Sequence, residues 1–194
     1  MGDVISAALV DFALNAGGGI IVRPFRKHDA HELFALTLAN RESLSQWLTW
    51  VPSVTSVGDT REYLRGSERS ALEHRAFVCG IYVNGPLAGA IELHDIDWLN
   101  RHAKVGYWLD EAHRGQGIMT RAVRALVEYA FDALDLNRVE IRAAAENRPS
   151  RAVAERLDFR LEGTLRERVL LHGKFHDYAV YGALRAEWQG GEGA

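Results

Sequence analysis

The sequence predicts a mixed α/β domain, and three observations predict it. Strand-type and helix-type segments follow one another in an irregular order: one strand, helices, three strands, a helix, a strand, a helix and two strands. One long segment, Gly117 to about Leu134, has a clean two-faced helical pattern and follows directly on an apolar strand. Two strand pairs meet at short turn signals, Asn84-Gly85-Pro86 and His172-Gly173. A strict βαβα alternation, the mark of a doubly wound nucleotide fold, is absent.

The elements can be justified in order. Val4, Ile5, Ala8, Leu9 and Phe12 fall at helical spacing and predict a short amphipathic helix over Gly2–Asn15. Its apolar face needs a partner, either its own domain or the second subunit of a homodimer. Gly17, Gly18 and Gly19 read as a flexible hinge closing this segment, 1–19. IIVRPF from Ile20 is a strand, and Asp29 can cap a helix running to about Ala39. Short helices are expected around RESLSQWL and from Asp59 to about His74. AFVCGIYV, LAGAIELH and AKVGYWL are strands, as is RVEIRAAA beyond the long helix. A helix from about Ser150 to Leu157 precedes two closing strands, FRLEGTLRERVLL and KFHDYAVYGAL. The principal domain is thus expected over 20–188, with a frayed tail over 189–194.

The chain has 194 residues, enough for one domain with a real core, and its 47% hydrophobic and 25% charged residues are ordinary for a globular protein. A formal charge of -3 and a pI near 6.2 give no global field for nucleic acid or an anionic membrane. Any anion must be held by a local arrangement. Cys79 is the only cysteine, which excludes an internal disulfide and a multi-cysteine zinc site. It lies in an apolar strand and reads as inert core. No apolar run approaches the roughly 20 residues of a spanning helix, and the N-terminus lacks the basic start of a signal peptide. The expected location is the cytoplasm.

The stretch EAHRGQGIMTRAV, Glu111–Val123, carries the chemistry. A helix N-terminus has unpaired N–H groups and partial positive charge, and so attracts phosphate. Gly115 and Gly117 let the backbone approach an anion closely, and Arg114 adds a permanent charge. A strand, a glycine turn and a long helix make a pyrophosphate cradle; a plain tight turn is the other reading of the same glycines. Neither a Walker-type loop nor a completed Gly-x-Gly-x-x-Gly is present.

On these residues the chain resembles the GCN5-related N-acetyltransferases, whose cofactor motif is Arg/Gln-x-x-Gly-x-Gly/Ala. Arg114 and Gly117 match it, and Met119 departs at the last position. GYWLDEAHRGQGIMT, ENRPSRAVAERLDFRLEGTLRE and NRESLSQWLTWV resemble the RimJ/RimL-like ribosomal-protein subgroup, in order, over about Ile20 to Trp188. The resemblance implies a central, twisted, mostly antiparallel sheet of about seven strands flanked by helices, with two splayed parallel strands around the cofactor. It implies that the backbone of Arg114, Gly115, Gln116, Gly117, Ile118, Met119 and Thr120 holds the pyrophosphate of acetyl-CoA. It further implies that pantetheine threads between the strand ending at Leu109 and the strand from Arg138, with an N–H near Leu109 facing the thioester carbonyl. Asn147 and Ser150 match the second cofactor motif. Asp158 departs where a glycine commonly ends the helix, so a local adjustment is expected there.

Acetyl transfer to an amine needs a neutral nucleophile, a stabilised oxyanion and a proton for the leaving thiolate. An α-amino group has a pKa of about 8 and a lysine about 10.4, so a base is required at neutral pH. Ser150, beyond Pro149, reads as a helix N-cap; the resemblance adds a general-acid role for its hydroxyl. Three groups are candidates for the base. Alternation sets Glu92 and His94 on one strand face, and Glu167 lies on the strand where the subgroup's carboxylate is expected. Trp47 and Trp50, three apart, read as a core stripe; in the family the early helices wall the acceptor channel, so a tryptophan there can bind substrate. His28, His31, His172 and His176 are loosely spaced surface or loop residues and no metal site is expected. The acceptor is a protein N-terminus or a small amine, and no acidic groove is evident in the sequence to separate them. A non-catalytic acyl-CoA-binding module is the reading from another class.

Overall fold

The computed structural model describes residues 12–189. The helix expected over Gly2–Asn15 falls largely outside the described residues, as does the tail expected over 189–194. Where the expected helix and the structure overlap, the helix is corrected. Leu14–Asn15 form strand β1, which pairs antiparallel with β2, Ile20–Pro24. Gly17, Gly18 and Gly19 are the hairpin turn between them and not a hinge. All three have positive φ, Asn15 Oδ1 accepts the Gly17 N–H at 3.0 Å, and Ala16 N–H donates to Ile20 O at 2.9 Å. A glycine run makes consecutive left-handed residues cheap, and the hairpin pairs backbone groups that a hinge would leave to water. Phe12 stacks on Tyr129 with ring centroids 4.6 Å apart, so the segment ahead of β1 that begins at Phe12 packs on the body of the domain.

Six further strands complete the sheet: β3, Phe77–Val83; β4, Leu87–Asp97; β5, His102–Leu109; β6, Arg138–Ala144; β7, Arg160–Leu171; and β8, Lys174–Leu184. The order is β1-β2-β3-β4-β5-β6-β8-β7, and only β5 and β6 are parallel. The described sheet therefore has eight strands, the short β1 being the one beyond the seven expected.

The helices are α1, Ala30–Ala39; α2, Arg41–Ser45; α3, Val57–Leu72; α4, Ile118–Asp132; and α5, Arg148–Arg156. Strand alternation divides the apolar side chains between two faces. Ile20, Val22, Cys79, Ile81, Ile91, Leu93 and Val105 meet the buried stripe of α4, including Ala122, Leu126 and Ala130, together with Val153 and Leu157 from α5. On the opposite face, Leu33 of α1 and Leu64 of α3 pack against Tyr82 and Leu87. Asp29 stands at the N-cap of α1, as expected, but its side chain makes no capping bond, because the carboxylate receives Arg23 at 2.9 and 3.0 Å and the Arg26 N–H at 2.6 Å. α3 begins before Asp59, because Ser56 caps it in a reciprocal box with Asp59 at its third position.

The feature that positions the site is a gap in the sheet. β5 and β6 pair only from His102↔Arg138 to Val105↔Ile141. Beyond that point β5 stays on β4 as far as Leu109, and β6 stays on β8 as far as Ala144. The two parallel strands, joined by the α4 crossover, diverge toward the N-termini of α4 and α5.

Candidate active site

The turn that feeds α4 has the geometry of an anion cradle. Gly117 is the N-cap, with φ 71°, and Gly115 has φ 75°. A Cβ added at either glycine would meet nothing within 4 Å, so protein packing does not demand these glycines. They keep the backbone left-handed and leave the space above it open. The first N–H groups of α4 have no partner within the helix and face this space. Ile118 and Met119 are buried in the core, so they offer the cradle only their main chain. Gln116 Nε2 donates to Ala112 O at 3.0 Å, and Arg114 reaches Glu111 at 3.0 Å and Ser43 Oγ at 3.3 Å. Thr120 Oγ1 accepts from Arg156 Nε at 3.1 Å, which brings a cation from α5 to the cradle. Arg156 has no motif to announce it.

A buried amide fixes the approach to this turn. Asn40, 3% exposed, donates to Asp110 Oδ1 at 2.8 Å and Leu36 O at 2.9 Å, and accepts the Glu111 N–H at 2.9 Å. Asp110 also meets His113 Nδ1 at 2.8 Å. Burial pushes the Asp110 carboxyl upward, but the hydrogen bonds from Asn40 and His113 outweigh it and hold it below the ordinary carboxylate range. Asn40 closes α1, so a helix of one sheet face holds the segment that leads into α4 on the other.

Leu109 stands where the gap is open. Asp110 N–H donates to Ala88 O on β4 at 2.8 Å. Backbone N–H groups alternate sides along a strand, so the Leu109 N–H points away from β4 and into the gap. Across the gap, Asn147 Oδ1 accepts the Ser150 N–H at 3.2 Å, which makes Asn147 the N-cap of α5. Ser150 is therefore not the cap, a correction that frees its hydroxyl. That hydroxyl donates to Tyr107 Oη at 3.3 Å, while Tyr107 Oη donates to Ser150 O at 2.9 Å. Desolvation raises the Tyr107 phenol to about 12 against the pull of Ser150 and the Arg156 charge, so it is a protonated donor at neutral pH.

On the α1/α3 face, over β4 and β5, lies a cleft of about 620 Å³. Its floor is Ala90, Glu92, Gly106, Tyr107 and Trp108, and its walls include Trp50 and, from α3, Asp59, Glu62 and Tyr63. Glu92 pairs across strands with Gly106, where an added Cβ would come 2.9 Å from Glu92 Oε1. A glycine is what gives this carboxylate its place. Burial first, and the facing Glu92 carboxylate second, push the Tyr63 phenol above its ordinary range.

Of the three candidate bases only Glu92 reaches the cleft. His94 shares its strand face but lies beyond the cleft, with Nδ1 3.6 Å from Asp95 Oδ2. Glu167 sits at an irregularity of β7 with φ 50°, exposed, its N–H held by Asp177 Oδ1 at 2.8 Å. The irregularity breaks the alternation that would have set its direction. Trp50 lines the cleft, whereas Trp47 is half-buried outside it. Cys79 is fully buried and burial pushes its thiol up, as an inert core residue requires. Among the described residues no cluster of three His, Cys, Asp or Glu could hold a metal, and no helix is long and apolar enough to cross a membrane. Tyr107, Trp108, Asn40, Asp59 and Glu62 were not singled out for the site from the sequence, because only the pairing of distant strands brings them to it.

Residues 20–160 match the family model of the acetyltransferase (GNAT) domain. The chain is 37% identical to the putative ribosomal N-acetyltransferase YdaF of Bacillus subtilis, over 92% of this chain and 98% of that protein. It is 34% identical to the ribosomal-protein-serine acetyltransferase of Escherichia coli, over 78% and 85% of the two chains. Among solved structures it is similar to RimL, a ribosomal alpha-N-protein acetyltransferase in complex with coenzyme A. That likeness has a TM-score of 0.87 at 31% identity and covers 89% of this chain and 98% of the other.

Proposed function

The chain belongs to the acetyltransferase (GNAT) family, an acetyl-CoA-dependent N-acetyltransferase by that membership, and from this premise we propose that it acetylates the terminal α-amino group of a protein, ribosomal proteins being the first class to try. One observation carries the reading: β5, the strand at the edge of the gap, floors a carboxylate-bearing cleft with Gly106, Tyr107 and Trp108 and then leads into the anion cradle at the start of α4. An acyl donor and an amine can meet along that strand.

Acetyl-CoA supplies an acetyl group activated as a thioester. The chain supplies the rest. The cradle from Arg114 to Thr120 meets the pyrophosphate with main-chain N–H groups, and the Leu109 N–H is a preorganised donor for charge developing on the acetyl oxygen. Glu92, on the cleft floor, takes the proton of the arriving ammonium directly or through water. Ser150 holds a proton at Oγ and Tyr107 at Oη, 3.3 Å apart at the mouth of the gap, where the leaving sulfur needs one. Trp50 lines the path of the acceptor. The mechanism is direct attack in a ternary complex, and it uses neither Cys79 nor a metal.

The test is acetylation of a panel of peptides copying ribosomal-protein N-termini, read by mass spectrometry. A gain of one acetyl group at the α-amine is expected. Glu92→Gln should lower kcat by roughly 10²-fold or more with the acetyl-CoA Kd unchanged. No acetylation of any peptide, with small amines acetylated instead, would move the acceptor to that class. The accompanying proposals are a cytoplasmic enzyme, an acetyltransferase domain over 20–188, and a homodimer. The exposed Leu161, Leu165, Leu170 and Phe175 of the β7–β8 hairpin support the dimer, and a monomer in light scattering would overturn it.

A further inference from the structure

The cleft is more acidic than the chain that builds it. The whole protein carries a net charge of only -3. Yet Asp59, Glu62 and Glu92 all line this one cleft, and none of its lining residues is Lys, Arg or His. Asp59 and Glu62 stand three apart on α3, hence on one helix face, with Tyr63 beside them. Glu92 rises from β4 on the floor. The remaining polar atoms belong to neutral hydroxyl, amide and indole groups.

Two physical consequences follow. Carboxylates around a concave surface focus a negative potential, which draws cations in and repels anions. The faces of Trp50, Tyr63 and Trp108 add favourable sites for an ammonium or guanidinium. Asp59 stays ionised in this role, because the N–H groups and hydroxyls of Thr55 and Ser56 hold its carboxyl below the ordinary range. One carboxylate, Glu92, suffices for the reacting amine. Asp59 and Glu62, on the wall, are left facing whatever follows it.

We propose that the cleft selects protein N-termini carrying Lys or Arg at the second or third residue and rejects those carrying Asp or Glu there. The proposal rests on the reading of this cleft as the acceptor site. Glu62 is its specificity-determining residue, since Asp59 is already engaged in capping α3.

The experiment uses three peptides that begin with serine and differ only at the second residue, Lys, Gln or Glu. kcat/KM is measured for each with the full chain, at low and high salt. The expected order is Lys over Gln over Glu, with on the order of tenfold or more between the extremes, as for one close charge pair gained and one repulsion removed. High salt narrows the span, and Glu62→Gln narrows it several-fold, each protein serving as its own control for folding. A flat or reversed order overturns the proposal. If none of the three peptides is acetylated, the reading as an N-terminal acetyltransferase fails first. The charge selection is then judged on 1,4-diaminobutane against butylamine, where equal kcat/KM overturns it and a clear preference for the diamine sustains the acidic cleft alone.

Discussion

The two sides of the site are built from different materials. The cradle is main chain: Ile118 and Met119 bury their side chains, and Gly115 and Gly117 have none. The cleft is side chain, drawn from α1, the segment around Trp50, α3, β4 and β5. A site made of backbone depends on local conformation, so it is written in a few adjacent residues and shared by chains that differ elsewhere. A site made of side chains depends on which strands pair, so it can change by single substitutions without disturbing the fold. The cofactor side should therefore tolerate many side-chain changes and no change of backbone. The acceptor side should behave in the opposite way.

The largest effect expected from breaking this division is at Gly117. Its φ of 71° and the open space above it mean that Gly117→Ala costs the fold only backbone strain, about 1–2 kcal/mol. Gly117→Glu adds a carboxylate in the space an anion needs. Calorimetry should show acetyl-CoA binding weakened more than about 100-fold by Glu, or about 2.7 kcal/mol, and far less by Ala. Equal losses in the two variants would mean that strain, and not occupation of the anion's place, controls the site.

Asn40 tests whether the two sides are independent. It belongs to α1, an acceptor-side helix, yet it holds Asp110 and the Glu111 N–H ahead of the cradle. Asn40→Leu strands those partners and should cost about 1–3 kcal/mol of stability. It should also weaken acetyl-CoA several-fold, which a mere packing defect would not do. The pH dependence has a definite sign. The folded Asp110 carboxyl lies below its unfolded value, so its contribution is present above an unfolded pKa of about 4 and lost as pH falls through the folded one. Loss of Asn40 raises the folded value, so melting scans across acid pH should show a smaller contribution in the variant, its loss starting at the same unfolded pKa and complete at a higher pH than in the parent.

Arg156 is an exception to the rule of a main-chain cradle, and a smaller one. Its Nε–H reaches Thr120 Oγ1 at 3.1 Å while the residue itself is exposed. Arg156→Gln should weaken acetyl-CoA by a few-fold, roughly 0.5–1 kcal/mol for an exposed charge, and raised salt should mask the loss. Arg156→Lys should recover only part of it, since a lysine has no planar fork.

The same division explains what the sequence makes legible. The glycine turn that opens α4 could be read at Gly115 and Gly117 because its information is local, and the β7–β8 pair could be read around His172-Gly173 for the same reason. β1 could not, because two residues carry no period and Phe12 continued a helical spacing begun upstream. The Asp29 capping bond is lost to competition: Arg23, six residues earlier, takes the carboxylate. Glu92, His94 and Glu167 are equivalent candidates in the sequence; pairing with Gly106 brings Glu92 to the cleft, and Glu167 is exposed at a β7 irregularity. The Tyr107–Ser150 contact spans 43 residues and follows from where β5 and β6 part. No spacing rule encodes that point.

The smallest effect sharpens the comparison from outside the site. Asp158, like Gly117, is left-handed, with φ 57°, and it ends α5 with its N–H on Glu155 O at 3.2 Å and the Phe159 N–H on Ala154 O at 3.0 Å. This is a glycine-type helix end occupied by an aspartate. Its side chain is exposed, so only backbone strain opposes it. Asp158→Gly removes strain of about 1 kcal/mol, offset by roughly 0.4–1 kcal/mol through the greater freedom of a glycine in the unfolded chain. The net change in melting should be a stabilisation of a few tenths of a kcal/mol, with acetyl-CoA affinity unchanged. If this variant altered affinity, the end of α5 would belong to the cofactor side. If affinity holds, the two left-handed positions part in function: a ligand approaches the backbone at Gly117, and none approaches it at Asp158.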